Sequence, residues 1–84
     1  MSAAKLSLDD ALQMLAECFA EAAADLGPER VREDIAGWDS MGALMLMAEL
    51  DERCHLQLSA EQSRSLRSVG DVLAFLRAHR RLAE

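Results

Sequence analysis

The chain has 84 residues, 51% of them hydrophobic, with two cysteines and a net charge of −6; this is one small domain, near the size where a single core is marginally sufficient, for which a modest core is feasible without a metal or disulfide. Residues 1–54 carry four Lys/Arg against twelve Asp/Glu, and residues 55–84 carry five against three. Such an acidic surface, with no tyrosine and one tryptophan, argues against a nucleic-acid footprint and favours partners that present basic patches.

Leu8, Leu12, Leu15, Phe19, Ala22 and Leu26 recur at alternating intervals of four and three. That periodicity predicts helix I over residues 8–26. Ser7 can cap it, Asp9 and Asp10 suit its positive end, and Gly27-Pro28 stops it. A long connection follows, with Val31, Ile35 and Trp38 to pin it; connections of this length are often functional. Helix II begins at Asp39 or Ser40 and runs to about Cys54. Leu56 and Leu58 can then reach the core. Ser59 with Gln62 fits a capping box for a short helix over 59–66. Ser68 with Asp71 starts a last helix whose Val69, Val72, Leu73 and Leu76 share a face. No segment alternates with period two, so the fold class is all-α: a small antiparallel four-helix bundle with three longer helices and a short helix III.

Helix II has more apolar surface than one core needs. At 100° per residue, Ala43, Leu46, Met47, Leu50 and Cys54 fall in one arc. Met41, Leu44, Met45 and Ala48 fall in an opposite arc, which predicts an exposed strip unless helix II is central and buries both faces. Methionine side chains suit a surface that must fit differently shaped partners, although they also fill irregular cores.

Catalysis by the chain itself is not expected. Serine and aspartate are ordinary caps, and an activated serine needs a positioned base. The only histidines are His55 and His79. His55 stands about 20 Å from Ser40, at the far end of helix II. Cys18 and Cys54 match no metal-ligand or redox spacing and are expected to be reduced, buried thiols. The longest apolar run, 43–48, is too short to span a membrane, and the N-terminus lacks an apolar signal core. A cytoplasmic monomer is expected. What remains is a serine at a helix start, beside an apolar strip, placed for modification by another enzyme.

In this arrangement the sequence resembles acyl carrier proteins along nearly its whole length. The resemblance rests on the amphipathic first helix, the long loop, Asp39-Ser40-Met41 opening helix II, the acidic "ELDE" at 49–52, and "SVGDVLAFL" in the last helix. It implies a single carrier domain over 1–84 that is not itself an enzyme. It implies 4′-phosphopantetheine, taken from coenzyme A, attached to Ser40 with Asp39 as neighbour, and acyl cargo carried on its thiol as a thioester. The implied partners are a phosphopantetheinyl transferase and acyl-loading and acyl-processing enzymes. They would dock on Met41, Leu44, Met45, Ala48, Glu49 and Glu52. Gly42 and Met45 stand where carriers of primary fatty acid synthesis usually have acids, which points to a specialised polyketide, lipid or secondary-metabolite pathway. Trp38 either anchors the loop or serves a particular partner. "DSMG" also occurs in D-alanyl carriers, so an aminoacyl cargo stays open, and a peptidyl cargo is less favoured. The rival reading is an unmodified interaction domain that binds one partner through the Met41–Ala48 strip.

Overall fold

The computed structural model, which describes residues 5–83, has four α-helices: α1 (Leu8–Phe19), α2 (Ser40–Cys54), α3 (Ala60–Ser65) and α4 (Val69–Ala78); α1, α2 and α4 supply helical residues to one hydrophobic core, and α3 is flanked by the core residues Leu58 and Leu66. Two single-turn 3₁₀ segments, Ala23–Asp25 and Arg32–Asp34, lie between α1 and α2. Among the described residues there is no strand, only isolated bridges Leu6–Leu82 and Val31–Ser68. None of the described helices is long and apolar enough to cross a membrane.

The first helix ends earlier than its periodicity predicts. Ala20 adopts a left-handed conformation at φ 54°, and the N–H groups of Ala20 and Glu21 both donate to the Ala16 carbonyl, an arrangement that closes a helix. The run Ala22-Ala23-Ala24 has excellent helix propensity, so the stop is imposed from outside. A continued helix would bring the Ala23 N–H to the Phe19 carbonyl. The backbone of Gly37 stands there instead, so close that a Cβ on Gly37 would collide with that carbonyl. Ala22, expected on the core face, is exposed as a result, and Leu26 reaches the core from the loop. Leu8 is also 48% exposed. The residues α1 buries are Ala11, Met14, Leu15, Ala16, Cys18 and Phe19.

The other predicted ends agree with the backbone. Ser7, Ser59 and Ser68 each accept a hydrogen bond from the N–H three residues on, at 3.0 Å, and the Ser59–Gln62 capping box is complete. Val69, Val72, Leu73 and Leu76 are buried on α4, as are Leu56 and Leu58 before α3. Cys18 and Cys54 are free, buried thiols. Burial, reinforced by Glu49 and Glu17, pushes the Cys18 thiol up to about 11, and burial likewise raises that of Cys54.

The long connection is held at both ends. Gly70 and Val69 donate to the carbonyls of Pro28 and Arg30, and the Arg32 N–H donates to Arg67. These bonds fasten the loop to the start of α4, and the buried Ile35 and Trp38 fasten its far end to the core.

Candidate functional site

The site is built where the loop runs into α2. Asp39 has extended backbone and its Oδ1 accepts the Gly42 N–H at 2.9 Å, so Asp39 is the cap and Ser40 is the first helical residue. This resolves the two starting points open in the sequence. Because Asp39 performs the capping, Ser40 does not: its exposed hydroxyl makes no hydrogen bond among the described residues. No acidic side chain lies in the first turn of α2. The Ser40 oxygen stands at the positive end of a 15-residue helix, beside the capping Asp39 carboxylate, in a dipole field that favours a negatively charged substituent.

Two glycines permit this geometry. A Cβ on Gly42 would collide with the Gly37 carbonyl and press on Phe19 at 3.2 Å, while Gly37 in turn sits on the Phe19 carbonyl. The end of α1, the loop and the start of α2 thus meet backbone to backbone. Gly42 is buried, so its small size is explained by packing. Trp38 seals the junction. Its ring stacks on Phe19 with centroids 4.6 Å apart, and the Arg32 guanidinium lies over the ring at 5.4 Å. Arg32 also donates to the carbonyls of Trp38 (3.4 Å) and Ser63 (3.2 Å), which ties α3 to the residue two before Ser40.

No protein-family model matches this chain, and no curated protein matches it in sequence.

Beyond Ser40 the two faces of α2 separate. Gly42, Ala43, Leu46, Leu50 and Cys54 are buried, and Met47 is half-buried. Met41, Leu44 and Met45 are 67%, 59% and 43% exposed, and Ala48 is exposed with them. The alternative in which α2 buries both arcs is thereby excluded for the described chain. Glu49 is half-buried and pairs with Arg53 at 3.6 Å, whereas Asp51 and Glu52 are exposed. Serine, apolar strip and acids accordingly share one helix, in the order the sequence reading placed them. On another side of α2 a groove of about 510 Å³ runs between that helix and the approach to α3, lined by Met47, Ala48, Asp51, Gln57, Leu58, Ser59 and Gln62.

His55 caps the opposite end of α2 in a left-handed conformation, and His79 packs against Phe75 at the end of α4. His55 is thus a helix length away from Ser40. Sequence reasoning singles out neither Gly37 nor Arg32, and it marks Gly42 for its missing charge rather than for its close backbone approach. The glycines carried a signal, since each stands alone beside a predicted helix boundary where a close backbone approach was worth testing. Arg32 carried none, because its partners Trp38 and Ser63 are brought together only by the fold.

Proposed function

We propose that this chain is an acyl carrier protein whose Ser40 receives 4′-phosphopantetheine from coenzyme A and which serves a specialised acyl pathway in the cytoplasm. The antiparallel bundle arrangement belongs to the same proposal. The observation that carries it is the unengaged, exposed Ser40 hydroxyl on the first turn of α2, capped by Asp39 and bordered by the exposed Met41, Leu44 and Met45.

The residues present fit the group. In loading, the Ser40 oxygen forms a bond to the phosphorus of coenzyme A that bears the pantetheine. The bond to the nucleotide breaks, adenosine 3′,5′-bisphosphate leaves, and the serine proton passes to a base of the transferase. The positive end of α2 favours the resulting phosphodiester. Asp39 holds the first turn so that the hydroxyl points to solvent rather than inward. Once attached, the arm supplies a thiol for thioester chemistry, and this chain supplies position and recognition. Glu49, Asp51 and Glu52 steer basic partners, while Met41, Leu44, Met45 and Ala48 give each transient complex an apolar anchor.

The exposed strip also favours the rival, an unmodified domain with one fixed partner. Incubation with coenzyme A and a broad-specificity phosphopantetheinyl transferase, followed by intact mass, separates the two. A single added arm in the native chain, absent in Ser40→Ala, is the expected result. No gain with a transferase that loads a control carrier refutes the carrier reading.

A further inference from the structure

The loop, α3 and the residues after α3 border a second, open cleft of about 550 Å³, lined by Arg32, Glu33, Ile35, Ala36, Trp38, Arg64 and Arg67. Its charge is opposite to that of the chain as a whole: three guanidiniums against one lining carboxylate, in a protein of net charge −6. Among the described residues the ion pairs are Arg30–Glu21 and Arg53–Glu49, so none of the three arginines has a carboxylate within pairing distance. Asp71, beside Arg67, has its carboxylate engaged by the Arg67 backbone N–H at 2.9 Å. Gathering unpaired like charges around an apolar floor is unfavourable unless an anion joins them.

Arg32 is already oriented. Its Nε and one amino group are held by the carbonyls of Trp38 and Ser63, and the other amino group is left for a further acceptor. Ser63 immediately precedes Arg64, so the Arg32–Ser63 bond also brings the bases of Arg32 and Arg64 together. Arg64 and Arg67 are exposed and can close on a ligand from the rim. An anchored guanidinium with two exposed ones over an apolar floor suits a tetrahedral anion, which guanidiniums bind through paired N–H donors.

We propose that the Arg32–Arg64–Arg67 cleft binds a phosphate ester group. Two sources present that chemistry. One is a free phosphate ester in solution. The other is a phosphodiester on Ser40 itself, a source that rests on the carrier reading. Trp38 lines the cleft and lies two residues from Ser40, a span of at most about 7 Å along the chain, so a phosphodiester on Ser40 starts close to the Trp38 side of the cleft.

Trp38 is the only tryptophan, and its ring lies under the Arg32 guanidinium, so its emission reports an anion arriving at that cation. In the first arm of the test, unloaded protein is titrated with adenosine 3′,5′-bisphosphate, and separately with inorganic phosphate, at constant ionic strength. A saturable change in Trp38 emission is expected, weakened about tenfold or more in Arg64→Ala/Arg67→Ala, as loss of charge-assisted contacts gives. Both residues are exposed, and an unchanged far-ultraviolet circular dichroism spectrum verifies that the variant folds. In the second arm, the phosphorus resonance of protein loaded at Ser40 is compared between the native chain and the same double variant. A shift between them, together with weakened binding of the free ester, assigns the cleft to the arm. Saturable binding with no phosphorus shift assigns it to a free ligand. If the free esters give no saturable change, or bind the double variant equally well, and the phosphorus resonance is also unchanged, the proposal is overturned. Should Ser40 prove unloadable, the first arm alone decides, so failure of the carrier reading and failure of the cleft are separately visible.

Discussion

Replacing Gly42 by alanine tests the packing that presents Ser40. In an exposed helix interior that change stabilises by about 1 kcal/mol, because alanine restricts the unfolded chain and favours the helix. Gly42 is buried, and the added Cβ meets the Gly37 carbonyl, a backbone atom that cannot rotate away. Gly37 cannot retreat easily either, since it rests on the Phe19 carbonyl, and Trp38 beside it is clamped between Phe19 and Arg32. Forcing an extra carbon into a packed site costs about 2–3 kcal/mol. After the propensity gain, Gly42→Ala should destabilise by about 1–2 kcal/mol, a drop of roughly 5–10 °C in Tm for a domain this small. Urea unfolding followed by both helical circular dichroism and Trp38 fluorescence measures it, with Ala48→Gly on the exposed face as control; that change should cost about 1 kcal/mol by propensity alone. If Gly42→Ala stabilises the protein, the three-way backbone contact does not constrain the site and the reasoning fails. The same geometry bears on introducing an acid at this position: Gly42→Asp should damage the fold before it alters docking, whereas Met45→Glu changes surface charge alone.

Asp39→Ala should cost about 1 kcal/mol, the usual loss for a cap, and Asp39→Asn should retain most of it; equal urea midpoints for Asp39→Ala and the native chain refute the capping role. Leu44→Asp should change stability by no more than about 0.5 kcal/mol, since the side chain is 59% exposed, yet weaken transfer of cargo to partner enzymes; unfolding of this variant contradicts the exposed strip. For Cys18 the folded thiol titrates at about 11 against an ordinary 9.0. Its contribution to stability is therefore intact below pH 9 and is lost as pH rises toward 11, because the unfolded chain releases the proton first. Urea midpoints across that interval should fall less steeply in Cys18→Ala than in the native chain, and equal slopes overturn the assignment.

The sequence by itself determined what depends on neighbours a few residues apart. The caps at Ser7, Ser59 and Ser68 read correctly because the donor sits three positions from the acceptor, within a single turn. The two faces of α2 were legible for the same reason, since helical geometry alone separates Ala43, Leu46 and Leu50 from Met41, Leu44 and Met45. The end of α1 was not. Local propensity carries a helix through Ala22-Ala23-Ala24, and only the arrival of Gly37 at the Phe19 carbonyl denies it room. Whether Asp39 or Ser40 caps α2 was open in the sequence, because both residue types cap well, and the three-dimensional course of the loop decided it. The arginine cleft belongs to tertiary structure entirely: Arg32 lies about thirty residues from Arg64 and Arg67 along the chain, and no local pattern announces that a loop and a short helix will bring the three together. Contacts between backbones and between distant charges depend on where the chain returns in space, which the 3.6-residue period does not encode.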